Sequence, residues 1–156
     1  MDGVIADFDK FVLDNMGRTF DHQSGPADRA MWDFLSTVDR LYFVLPPTEY
    51  AFKLWDLVRS TGANVEILTA VPRRTKMPGA EQDKKDWIEK YLGPDIKVNI
   101  GPYSRDKWTH AKHSDILIDD RTDNISDWET KGNGIGILHK YGDFDDTVTK
   151  LAAHFD

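Results

Sequence analysis

Four short apolar stretches punctuate the chain: NVEILTA (64–70), DIKVNIG (95–101), SDILIDD (114–120) and GIGILH (134–139). Each is rich in β-branched residues, and none alternates cleanly between apolar and polar, which predicts buried strands. Between them the apolar period changes to that of helices. Over 50–60 the residues Ala51, Leu54, Trp55 and Val58 fall at i, i+3, i+4 and i+7 on one face. Over 80–92 the stripe gathers Trp87, Ile88, Tyr91 and Leu92 and stops at Gly93-Pro94, a helix terminator. Over 144–155 it aligns Val148, Leu151, Ala152 and Phe155, and a further helix is expected near 123–131. Strands without alternation, separated by amphipathic helices, predict an α/β fold: a parallel sheet covered by helices on both faces.

Residues 14–47 break the pattern. They are rich in Asp, Arg and aromatics with no strand-like run, so they are expected to form a small helical cap between the first and second αβ units. With 156 residues, the whole chain (1–156) reads as one domain carrying that cap. In an open parallel sheet, ligands sit beyond the carboxyl ends of the strands. Those ends are Asp2 after a first strand, Thr69 after the second, 103–107 after the third, and Asp119-Asp120 after the fourth.

Composition narrows the chemistry. Hydrophobic residues make up 40% and charged residues 30%, with a formal net charge of −7. That charge opposes a nucleic-acid polymer or an anionic membrane as partner, but a local cation can still hold a small phosphorylated ligand. There is no cysteine, hence no disulfide and no thiolate zinc site. No apolar run approaches the roughly 18 residues of a membrane span, and the first residues lack a basic start and apolar core. A cytoplasmic setting is expected.

Asp119 and Asp120 follow ILI directly, and adjacent carboxylates are costly unless a cation or proton offsets them. Loop and capping acids are one reading. A magnesium site is the other, since hard oxygen ligands suit Mg²⁺ and phosphate completes its shell. Thr69 either closes its strand or donates to a phosphate oxygen. Lys107, with Arg105 beside it and Lys112 as a rival, either lies in solvent or neutralises phosphate charge. The five histidines (His22, His110, His113, His139 and His154) form no metal set, and Trp128 is expected to serve packing.

The order of these groups along the chain is Asp, Thr, Lys, Asp-Asp. A signalling receiver domain places its acid pair first and its Lys last, so the order disfavours that reading. It resembles instead the haloacid dehalogenase superfamily, and more narrowly the 5′(3′)-deoxyribonucleotidase family. MDGVIADF resembles that family's first motif, ILTAVP the second, SRDK the third and DILIDDRTDNISDWE the fourth; KKDWIEKYLGP resembles its Trp-containing helix.

The resemblance implies a Rossmann-like three-layer fold and a magnesium-dependent phosphatase of (deoxy)ribonucleoside monophosphates that works through a phospho-aspartate. It implies Asp2 as acid and base with its carbonyl on the metal, Thr69 and Lys107 on the phosphate, and Asp119 and Asp120 at Mg²⁺. Phe8 would face the nucleobase or else belong to the core of a first helix. Ala70, Arg73 (or its neighbour Arg74) and Arg105 would line the substrate. A homodimer is compatible with it. The nucleophilic aspartate would stand before Met1, with most of a central first strand. The 156-residue chain is therefore expected to be inactive and to leave the edges of neighbouring strands unpaired. Two alternatives are a phosphatase of another small phosphate ester and a non-catalytic nucleotide- or Mg²⁺-binding relative.

Overall fold

Each apolar stretch contributes four residues of strand, fewer than the pattern spans: β1 Ile67–Ala70, β2 Val98–Gly101, β3 Ile116–Asp119 and β4 Ile135–Leu138. The computed structural model describes residues 1–19, 28–73, 75–101 and 103–155. His22, Arg74 and part of the expected cap (20–27) lie outside the described residues. The helices are α1 Phe8–Met16, α2 Arg29–Leu35, α3 Leu41–Val44, α4 Ala51–Ser60, α5 Ala80–Leu92, α6 Thr122–Thr130 and α7 Phe144–Ala152, with a 3₁₀ helix over Ser104–His110.

The fold is mixed α/β, with short parallel strands in two small sheets. β1 pairs in parallel with β2 from Ile67↔Val98 to Ala70↔Gly101, and β3 with β4 from Ile116↔Ile135 to Asp119↔Leu138. Among the described residues no ladder joins β1 to β3. Of the continuous sheet expected from the sequence, the described residues form two parallel pairs.

Local chemistry accounts for the helix ends. The Asp7 carboxylate accepts from the Lys10 amide at 2.9 Å and caps α1, which ends on Gly17. Asp28 caps α2 through the Met31 amide at 2.9 Å. α5 carries Glu81 and Asp83 in its first turn and stops where Gly93 takes φ 109°.

The main core joins the first turn of the chain to the cap helices and α5: Met1, Val4, Ile5, Met31, Leu35, Leu41, Leu45, Leu54, Trp87 and Ile88 are all buried. Trp87 donates its indole N–H to the Leu45 carbonyl at 2.9 Å. Arg40, in left-handed backbone at φ 51°, reaches Asp83 at 3.0 Å and also bonds Asp86. Residues 40–45 are therefore clamped to α5. Among the described residues no helix is long and apolar enough to cross a membrane.

Candidate functional site

β1 and β3 both deliver their carboxyl ends to the first turn of the chain. There the amides of Val4, Ile5 and Ala6 converge on the Met1 carbonyl at 3.2, 2.9 and 3.2 Å. The Thr48 hydroxyl donates to the Val4 carbonyl at 2.9 Å, fixing the turn to the chain after the cap. Gly3 sits in left-handed backbone at φ 72°, and a Cβ on it would lie 2.3 Å from Asp120 Oδ2. Only glycine admits both that backbone and that close approach. Asp120 thus rests directly on the Asp2-Gly3 turn.

A lysine that the sequence reading passed over ties this turn to β1. Lys84, on α5, is 1% exposed. Its ammonium donates to Asp2 Oδ2 at 2.6 Å, to the Thr69 hydroxyl at 3.0 Å and to the Ala70 carbonyl at 2.6 Å. The Tyr42 ring lies 4.3 Å from the ammonium, adding a cation–π contact. Burial pushes the Lys84 ammonium below its ordinary pKa, against the opposing pull of Asp2. Burial pushes the Asp2 carboxyl upward, but Lys84 and the Met1 ammonium outweigh it and hold the group below the usual carboxylate value. Asp2 Oδ1 is a buried oxygen with no hydrogen-bond partner. An orphaned acceptor of this kind is costly unless something binds there.

The second cluster hangs from β3. Lys107, buried in the 3₁₀ helix, donates to Asp119 Oδ2 at 2.5 Å. Asp119 Oδ1 accepts from Asn124 Nδ2 at 2.9 Å and from the Arg121 amide at 3.0 Å. Asn124 is itself buried and donates to Ser104 Oγ at 2.9 Å. Burial raises the Asp119 carboxyl, yet Lys107, the Met1 ammonium and Asn124 hold it below its ordinary range. Asp120 goes the other way: burial, then the neighbouring Asp119 charge, push its carboxyl up to about 6. The Met1 amine, buried between the clusters, is lowered to about 6, chiefly by burial and then by Lys107.

Two adjacent carboxylates with opposed shifts have distinct roles open to them. Asp119 has both oxygens committed and serves to hold Lys107. Asp120 and the bare Asp2 Oδ1 are the oxygens suited to a cation. Among the described residues no group of three or more His, Asp or Glu side chains is arranged to hold a metal by itself. The donor set nevertheless fits Mg²⁺, which takes one or two carboxylates and keeps water or phosphate for the rest.

Of the residues singled out in the sequence, the structure brings together Asp2, Thr69, Ala70, Lys107, Asp119 and Asp120. Arg73 is exposed, and Arg105 is exposed with its guanidinium 5.0 Å from the Tyr103 ring. Phe8 is buried, its ring 6.0 Å from Trp32. Lys112 is exposed, outside the buried cluster. His139 is buried against the Thr147 hydroxyl at 2.8 Å, and Trp128 is buried with its indole on the Asp115 carbonyl at 3.1 Å.

Lys84, Tyr42 and Asn124 are the site residues that sequence reasoning missed. Lys84 did leave a signal: it sits three and four positions before Trp87 and Ile88, a charge on the apolar face of its helix. No known family model matches this chain, and no curated protein matches it in sequence.

Proposed function

We propose that the chain is a magnesium-dependent phosphatase of (deoxy)ribonucleoside monophosphates, built on the Rossmann-like plan of the haloacid dehalogenase superfamily. One observation carries this reading. Two buried ammonium groups, Lys84 and Lys107, and a buried threonine hydroxyl meet three carboxylates at the carboxyl ends of β1 and β3. A phosphoryl group with its magnesium matches that arrangement group for group. Its oxygens take the lysine and threonine donors, and its cation would take the Asp120 carboxylate and the backbone carbonyl of Asp2, which leaves the Asp2 carboxyl for proton transfer.

In the reaction that the resemblance implies, an aspartate immediately ahead of Met1 attacks phosphorus. The ester P–O bond breaks, and Asp2 gives a proton to the departing nucleoside oxygen. Asp2 then takes a proton from water, which cleaves the acyl phosphate, releases inorganic phosphate and restores the carboxylate. Bound Mg²⁺ would supply neutralisation of phosphoryl charge. At rest the Lys84 contact keeps Asp2 ionised. An incoming phosphate dianion competes for that ammonium, and with Lys84 drawn off, burial raises the Asp2 carboxyl towards the protonated form it needs as an acid.

The test uses the chain extended ahead of Met1 by an apolar strand ending in aspartate. Phosphate release is measured from nucleoside monophosphates and from sugar phosphates, with and without Mg²⁺. Mg²⁺-dependent release that favours nucleotides and falls at least about a hundredfold in Asp120→Asn is expected, on the scale of a lost transition-state contact. Tight nucleotide binding with no phosphate release would refute the reading.

A further inference from the structure

α5 grips residues 40–45 at several points. Arg40 bonds Asp83 and Asp86, and its guanidinium lies 4.1 Å from the Phe43 ring. Lys90 places its ammonium 4.9 Å from that same ring, and Trp87 bonds the Leu45 carbonyl. The left-handed backbone of Arg40 is uncommon for a residue with a side chain and persists where the surroundings fix it. Between these grips stands Tyr42, 4% exposed, with the Lys84 ammonium over its ring at 4.3 Å from the centroid.

We infer that Tyr42 is a positioning residue for the Lys84 ammonium: its ring, locked by the grip of α5 on residues 40–45, fixes where that charge stands to meet an incoming phosphate. The inference deepens the phosphatase reading and rests on it for the identity of the anion. Three observations support the role. An ammonium has three protons, and those of Lys84 are taken by Asp2, Thr69 and Ala70. The ring attracts the charge as a whole, so its pull persists while one acceptor is exchanged for another.

Second, Lys84 is 1% exposed. The ring covers the ammonium where water otherwise would, and a desolvated contact of this kind is the strong form. Third, the ring brings no charge that would repel phosphate. Burial, and then the Asp2 carboxylate, push the Tyr42 hydroxyl upward from its ordinary value, so the phenol stays neutral. A leucine could fill the same space, but it offers an ammonium nothing.

The test titrates inorganic phosphate into the 156-residue chain by calorimetry and follows the Lys84 ammonium by NMR with isotope-labelled lysine, its signal assigned by its loss in Lys84→Met. In the parent, the ring current of Tyr42 should shift that signal upfield. Tyr42→Leu should abolish the shift and weaken phosphate binding at least about tenfold. Tyr42→Phe should keep the shift and restore most of the affinity. Arg40→Gln loosens the grip away from the anion, so it should weaken binding in the parent and add nothing in Tyr42→Leu. An unshifted parent signal, unchanged affinity in Tyr42→Leu, a loss in Tyr42→Phe as large as in Tyr42→Leu, or additive losses with Arg40→Gln would each overturn the inference. If Tyr42→Leu does not fold, Arg40→Gln takes its place: a reduced shift together with weaker phosphate binding is expected, and any other result overturns the inference. A parent that binds no phosphate refutes the phosphatase reading instead, and the lysine signals of the parent and Tyr42→Leu then decide whether Tyr42 holds the ammonium.

Discussion

Replacing Lys84 by methionine tests the buried linkage at its centre. Methionine matches the length of the lysine stem and removes the ammonium, so packing is largely kept while three hydrogen bonds are lost. Breaking a fully buried pair from one side costs about 3–5 kcal/mol. Two terms reduce that here. The Asp2 side chain is 33% exposed, so water screens part of its charge, and the variant no longer desolvates an ammonium. The expected loss at pH 7 is about 2–3 kcal/mol, or about 1 M in the urea midpoint for an m-value of about 2 kcal/mol/M.

The sign of the pH dependence separates this from simple packing loss. In the parent chain the Asp2 carboxyl is held below its ordinary 3.8. Its stabilisation is present above that value and is lost as pH falls through the lower folded one. In Lys84→Met, burial acts with less opposition and raises the folded value, so the folded variant takes up its proton first and gains relative stability as pH falls. The gap between the two proteins should therefore narrow between pH 7 and pH 4. Adding Asp2→Asn should recover about 1–3 kcal/mol of the loss through coupling. Urea unfolding of the two single variants and the double variant at both pH values decides it. A pH-independent gap with additive losses would refute the linkage.

Asp120→Asn should stabilise the metal-free protein by about 1–3 kcal/mol above pH 6. A carboxyl raised to about 6 favours the fold below its unfolded pKa and loses that advantage as pH rises through 6; thermal melts at pH 5 and 8 test this. For the same reason, the parent chain should bind Mg²⁺ about tenfold more weakly at pH 5 than at pH 7, because a proton competes for Asp120; calorimetry should show proton release that is absent in Asp120→Asn. Gly3→Ala should cost about 1–3 kcal/mol, since its Cβ would lie 2.3 Å from Asp120 Oδ2, and should weaken Mg²⁺ binding in parallel. Thr69→Val removes a hydroxyl held by Lys84 at 3.0 Å and should cost about 1 kcal/mol in urea unfolding, while weakening inorganic phosphate binding measured by calorimetry.

The order of elements was legible because apolar runs and stripes answer to short-range periodicity. The expected helix over 80–92 ends at Leu92, as α5 does, because Gly93 alone among its neighbours takes φ 109° comfortably. The strands are shorter than their apolar runs because their ladders are: among the described residues β1 pairs only with β2 and β3 only with β4, each over four residues. The meeting of Asp2, Thr69, Lys107 and Asp120 was readable from their places at strand ends. The role of Lys84 was not. A lysine on an apolar helix face states that its charge is answered somewhere, but the answer lies 82 positions away at Asp2. Nor could spacing divide the labour of Asp119 and Asp120, since that depends on Asn124 and Lys107 reaching one carboxylate and on Gly3 making room for the other.

Asp83, Lys84, Asp86 and Trp87 occupy a single turn of α5, the first and third gripping Arg40 and the last gripping Leu45. Residues 40–45 and the ammonium beneath them therefore share one rigid lever. A displacement of residues 40–45 is thereby carried through α5 to the ammonium that holds Asp2, Thr69 and Ala70.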